Sequence, residues 1–128
     1  MVEVKNPFEE VEAHPGRRNF KLWNTENATF WVINSDPLIQ DDMHYHDNDD
    51  HIFMVLEGEG VVRTPEREYA VKRFDIVLLT SKQPYQLCNT GKKRLLLLGA
   101  GNRGVNGKLR TRVPKKASHM PLTEPIVA

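Results

Sequence analysis

Short apolar runs separated by polar, turn-forming clusters fill the middle of this chain. Phe20-Lys21-Leu22-Trp23 and the run from Ala28 to Asn34 read as two strands joined by Asn24-Thr25-Glu26-Asn27. After the turn Ser35-Asp36-Pro37, the stretch from Leu38 to His46 reads as a third strand. Strict alternation along it would place Leu38, Gln40, Asp42, His44 and His46 on one face. Further strands are expected from Ile52 to Leu56, Val61 to Thr64, Tyr69 to Val71, Ile76 to Thr80, Gln86 to Asn89 and Leu95 to Leu98. The turns between them include Gly58-Glu59-Gly60, Pro65-Glu66-Arg67-Glu68 and Thr90-Gly91. No segment carries a long, capped 3.6-residue apolar period, and no internal repeat is long enough for a propeller or solenoid. This pattern predicts an all-β sandwich or barrel.

Two of the runs, Ile52 to Leu56 and Leu95 to Leu98, do not alternate. A strand that is apolar on both sides needs cover on both sides, and one small barrel has only one interior. A second subunit is the simplest outer layer, so the expectation is a homodimer. Residues 1–18 are broken by Pro7 and His14-Pro15-Gly16 and read as an irregular arm. Residues 100–128, rich in Gly, Pro and Lys/Arg, read as a basic tail. The core of a single domain, 1–128, then lies at about 19–99.

Composition narrows the class. Hydrophobic residues make up 39% and charged residues 27%, the balance of an ordinary folded domain. A formal net charge of +1 gives no overall pull towards nucleic acid or acidic lipid. Neither a membrane-length apolar run nor a signal-like N-terminus is present, and Cys88 stands alone, so a cytoplasmic location is expected. With no helix N-terminus or basic neighbour to activate it, and with parity opposite to Asn89, Cys88 reads as pointing away from any pocket.

Candidate chemistry concentrates between Met43 and Gly60, where three of the five histidines fall. His44 and His46 are two apart, so on a strand both rings point the same way, about 7 Å apart along the backbone. His51 opens the next strand and would face the same interior if the two strands are neighbours. Three neutral imidazoles on one wall suit a divalent transition metal such as Fe, Mn, Zn, Ni, Co or Cu. The plainer reading is a polar strand rim that binds nothing. The acidic cluster Asp41, Asp42, Asp47, Asp49 and Asp50 lacks the glycine and distal glutamate of a calcium loop and reads as a solvated turn. Lys108, Arg110, Arg112, Lys115 and Lys116 have no interleaved aromatic residues, which points away from nucleic acid. His14 and His119 lie in the arms.

The order of strands, the His44-Tyr45-His46 triplet, the strand Ile52-Phe53-Met54-Val55-Leu56 and the turn Glu57-Gly58-Glu59-Gly60 together resemble the cupin superfamily of small β-barrels. Its first motif runs Gly, five residues, His-x-His, three or four residues, Glu, six residues, Gly. His44, His46 and Gly58 match; Leu38 stands at the leading glycine and His51 at the glutamate. The second runs Gly, five residues, Pro, one residue, Gly, two residues, His, three residues, Asn. Its positions fall on Phe74, Thr80, Lys82, Tyr85 and Asn89, and only Asn89, which in the family secures a turn, matches. The resemblance spans positions 38–91.

What the resemblance implies is a double-stranded β-helix, or jelly-roll barrel, holding one divalent metal through His44, His46, His51 and Tyr85. With no carboxylate ligand the centre would favour an anionic substrate or a metal-bound hydroxide. Tyr85 would ligate as phenolate or move a proton beside the ion. By parity Phe53 is a candidate pocket wall and Gln40 a candidate polar contact to substrate, although Phe53 also suits plain core. The expected function is an enzyme acting on a small anionic or oxygen-rich molecule, of dioxygenase, lyase or isomerase type. The alternative is a module that binds or senses a small molecule without catalysis.

Overall fold

The computed structural model describes residues 1–102 and the backbone of residues 111–112. Its strands are β1 (Asn19–Asn24), β2 (Ala28–Ser35), β3 (His44–Tyr45), β4 (His51–Glu57), β5 (Glu59–Arg63), β6 (Glu68–Lys72), β7 (Ile76–Leu79), β8 (Gln86–Cys88), β9 (Leu95–Asn102) and β10 (Thr111–Arg112), after a short helix α1 (Pro7–Ala13). One sheet has the order β1-β2-β9-β4-β7. The other has the order β6-β5-β8, and isolated bridges from Gln40 to Cys88 and from His44 to Tyr85 continue it towards β3 and β10. Every pairing is antiparallel, as in a two-layer jelly roll. Among the described residues no helix is long and apolar enough to cross a membrane.

The two non-alternating runs show what each side of the first sheet does. Phe53, Val55, Leu95 and Leu97 turn inward and join Ile33, Val62, Leu79 and Leu87 in the core between the sheets. Leu96 turns outward, where Phe20, Leu22 and Val32 meet Val11 of α1, with Leu56 and Leu98 alongside. Part of the outer cover expected from a second subunit is therefore supplied by the chain's own helix. The arm expected to be irregular contains that helix because Asn6 caps it. The Asn6 side chain accepts from the Phe8 and Glu9 amides, and Pro7 occupies the first turn, where its missing N–H costs nothing. The helix stops short of β4 and β7. There Ile52, Ile76 and Leu78 share the outer face, by the pairs Ile52–Leu78 and Met54–Ile76. They remain 46%, 68% and 60% exposed, against 0% for Leu96 under the helix.

Among the boundaries that differ from the sequence pattern, two shape the cavity. β9 does not end at Leu98; it runs through Gly99, Ala100 and Gly101 to Asn102, each paired with β2. The expected strand from Leu38 to His46 is broken. Its pairing shifts by one residue between the Gln40–Cys88 and His44–Tyr85 bridges. One extra residue inverts the parity, so Asp41, not Gln40 or Asp42, joins the wall that carries His44. The remainder of the basic tail, with Lys108, Arg110, Lys115, Lys116 and His119, lies outside the described residues, as does the Arg112 side chain.

The backbone supports the motif alignment from an unexpected side. Leu38, Gly58, Phe74 and Lys82, the four positions at which the resemblance calls for glycine, have φ of 67°, 85°, 71° and 69°. Three of the four have lost the glycine and kept the left-handed turn. Asn89, the matched residue of the second motif, is fully buried and clamps its loop. Its amide donates to the Ser35 and Lys93 carbonyls and its oxygen accepts from the Gly91 N–H, each at 2.9 Å.

Candidate functional site

A cavity of about 270 Å³ opens between the sheets. That is slightly below the usual range of roughly 300–1,000 Å³ for ligand pockets, which points to a small occupant. Trp31, Ile33, Phe53 and Leu87 form its apolar wall, and Asn19, Lys21, Thr29 and Asn102 contribute polar groups. His44, His46, His51 and Tyr85 line it together, with Asp41 and Asp49 beside them. Phe53 is both a pocket wall and a core residue, 2% exposed, and meets Trp31 and Tyr85 edge-on. Gln40 is not part of the lining. Its side-chain oxygen accepts from Arg63 Nη1 at 3.1 Å, a consequence of the parity shift before β3.

The aromatic cluster is tight. Ring centroids are 4.2 Å apart for His46 and His51, 5.2 Å for His44 and His46, and 4.6 Å for His44 and Tyr85. His44 Nδ1 lies 2.8 Å from the Asp42 carbonyl. A carbonyl only accepts, so Nδ1 carries the proton and Nε2 the lone pair when the ring is neutral. This is the way a ligating histidine is usually prepared.

His51 is arranged differently. Its Nε2 is 2.6 Å from Asp49 Oδ2 and its Nδ1 is 3.2 Å from the Tyr85 hydroxyl. Asp49 is 4% exposed, and its other oxygen accepts from the Asn102 N–H at 2.7 Å. The solvated turn expected for the acidic cluster is thus corrected at this residue: Asp49 is buried and bound on both oxygens. Its place depends on β9. A Cβ on Gly101 would fall 2.9 Å from His51 Cδ2 and 3.1 Å from both Asp49 oxygens, so only glycine leaves room for the pair. Trp31, 4.8 Å from the His51 ring, packs over Gly99 in the same way. Asp49 and Trp31 escaped the sequence reading. The signal available was the Gly99–Gly101 spacing, two glycines on the inward face of a strand.

The family implies a metal, and the donor set can be tested for it. Among the described residues no three His, Cys, Asp or Glu side chains present a geometry that would hold an ion. The reason is visible at His51, where both ring nitrogens already face protein partners. As placed, the cluster does not fit a three-histidine centre.

Cys88 is fully buried on the opposite side of its strand from Tyr85 and Leu87. Burial pushes its thiol from 9.0 up to about 12, with the nearby Arg63 guanidinium pulling weakly the other way. It is not a nucleophile at neutral pH.

Comparison with known proteins agrees with this architecture. The family model for the cupin domain (Cupin_2) matches residues 36–100. Among solved structures, a conserved protein with a double-stranded β-helix domain from Klebsiella pneumoniae superposes with a TM-score of 0.76 at 17% identity, covering 90% of this chain and 100% of that one. The polyketide cyclase RemF of Streptomyces resistomycificus gives 0.72 at 16%, covering 88% and 86%. A predicted oxalate decarboxylase from Thermotoga maritima gives 0.57 at 23%, covering 60% and 67%. No curated protein matches the sequence. At these identities the structural likeness speaks for the fold, and the family match spans just over half of the chain: this protein belongs to the cupin family.

Proposed function

We propose that this cupin is an enzyme that moves a proton on a small, oxygen-rich or anionic molecule, in a reaction of isomerase or lyase type. The observation that carries the reading is the contact between the Tyr85 hydroxyl and His51 Nδ1 at the wall of the cavity, both residues buried. Tyr85 is the catalytic residue. As its oxygen takes a proton from a carbon acid in the pocket, its own hydroxyl proton passes to His51 Nδ1. Returning the proton to a different atom of the same molecule completes an isomerisation; giving it to a departing group completes an elimination. Lys21 at the polar rim offers a cation to an anionic substituent, and the apolar wall of Trp31, Ile33 and Phe53 keeps water from the reacting atoms. Two of the structural neighbours carry enzyme names that refer to oxygen-rich molecules, a polyketide and oxalate, which is consistent in chemical class.

The test begins with thermal-shift screening of small acids, hydroxy-ketones and sugars, followed by turnover assays on those that bind. Tyr85→Phe removes the hydroxyl and keeps the ring. It is expected to lower kcat at least 100-fold, the usual contribution of a positioned acid or base, while the ligand still binds. Exhaustive chelation is expected to leave turnover unchanged. Undiminished turnover in Tyr85→Phe would refute the reading, and ligand binding without turnover by the wild-type protein would favour a binding module. We also propose that the uncovered outer face of β4 and β7 packs against a second copy of the chain, giving a homodimer.

A further inference from the structure

We infer that Asp49 is a positioning residue that fixes the tautomer of His51, and with it the direction of the hydrogen-bonded chain ending at Tyr85. This explains why His51, which stands at the family's glutamate position, is withheld from metal ligation. The catalytic consequence rests on the proposed function; the tautomer assignment stands without it.

Asp49 is buried and bound on both oxygens. As a carboxylate it can only accept. One oxygen accepts from the Asn102 backbone N–H at 2.7 Å, which anchors the side chain to β9. The other lies 2.6 Å from His51 Nε2, slightly shorter than the roughly 2.7–2.9 Å usual for a charge-assisted N–H···O bond. Nε2 must therefore carry the hydrogen. In a neutral ring Nδ1 then carries the lone pair, and it accepts from the Tyr85 O–H 3.2 Å away. The chain runs in one direction: Tyr85 O–H to His51 Nδ1, His51 Nε2–H to Asp49. The logic is that of a carboxylate holding the imidazole of a hydrolytic triad in its working tautomer, with a phenol at the end in place of an alcohol. Gly101 makes the carboxylate–imidazole contact sterically possible, and Trp31 packs edge-on against the ring.

The backbone anchor makes the consequence of one substitution specific. In Asp49→Asn the amide oxygen keeps the bond from the Asn102 N–H, because an amide nitrogen cannot accept it. The amide NH2 is then directed at His51 Nε2, where it can only donate. Nε2 becomes the acceptor, the ring proton moves to Nδ1, and Tyr85 is turned from donor into acceptor. The side chain changes by one atom and the chain reverses.

The experiment is heteronuclear NMR of imidazole-labelled protein at pH 7.5, with His51→Gln used to assign the His51 signals. Wild-type His51 is expected as the neutral Nε2–H tautomer and Asp49→Asn as the Nδ1–H tautomer, with unchanged far-UV dichroism. A calorimetric titration with Zn2+ accompanies it. Replacing His51 by Gln is expected to change any zinc affinity of the wild-type protein by less than threefold, with no binding by either protein agreeing equally, because His51 is not a ligand. A wild-type ring in the Nδ1–H or imidazolium form would overturn the inference, as would an unchanged tautomer in a folded Asp49→Asn. A tenfold or greater loss of zinc affinity in His51→Gln would also overturn it. If Asp49→Asn fails to fold, the wild-type tautomer and the zinc titration decide. Failure of the functional reading is seen separately, as full turnover in Tyr85→Phe.

Discussion

At the scale of single residues, chemistry here is set by what each polar atom faces. His44 and His51 are both buried imidazoles lining one cavity from opposite sheets, yet one is oriented by the Asp42 carbonyl and the other by the Asp49 carboxylate and the Tyr85 phenol. The histidines and Tyr85 were legible in the sequence because spacing and motif register point to them. Asp49 was not, because a run of acidic residues beside an asparagine looks the same whether one of them is buried or none is. Cys88 gives the clearest pH dependence. Its thiol titrates near 12 in the folded chain against 9.0 ordinarily, because burial disfavours the thiolate. The folded state therefore favours the neutral form. The stability this contributes is complete below pH 9 and is lost as the pH rises towards 12. Urea denaturation at pH 8 and pH 10 is expected to show wild-type protein losing about 1 kcal/mol more than Cys88→Ala over that interval. Equal losses would mean that the thiol ionises freely in the fold.

At the scale of elements, the alternation of apolar residues was enough to locate most of the strands, since period-two burial is a local property. It failed where the cause is not local. The extra residue between Gln40 and His44 matters only because β8 lies opposite it, and β9 extends to Asn102 only because β2 offers eight partners. The helix α1 was missed because seven residues with one buried side chain carry almost no periodic signal; its Asn6-Pro7 start was the readable part. The turns at Leu38, Phe74 and Lys82 hold non-glycine residues in the left-handed region, at a cost of about 1–2 kcal/mol each. Glycine there would relieve that strain but lose about 0.5–1 kcal/mol to the flexibility of its unfolded chain. Lys82 is exposed, so its side chain gives up little. Lys82→Gly is expected to stabilise the protein by about 0.5–1 kcal/mol in urea denaturation, and Lys82→Ala to change it by less. A destabilised Lys82→Gly would show that the turn is not strained.

At the scale of the whole molecule, one sheet has two employments. Its inner face forms one wall of the pocket, and its outer face is a second apolar layer, half covered by α1 and half open over β4 and β7. The open half adjoins β7, a strand at the sheet's margin with no lysine or proline within it to discourage association. Light scattering is expected to give a dimeric mass for the wild-type chain and a monomeric one for the double variant Ile76→Lys, Leu78→Lys. A monomeric wild type would mean that this patch is tolerated in water or meets a different partner.

The helix over the far half of that sheet also divides the molecule. The side chains of Phe20, Leu22 and Val32 meet α1 on the outer side of β1 and β2, whereas the cavity lies on the other side of the same strands. A shortened chain begun at residue 19 would leave Phe20, Leu22, Val32 and Leu96 without the cover of Val11, a larger apolar face open to association. Shelf life and turnover would then answer to opposite faces of the same strands, and a directed-evolution campaign could select on either one while leaving the other alone.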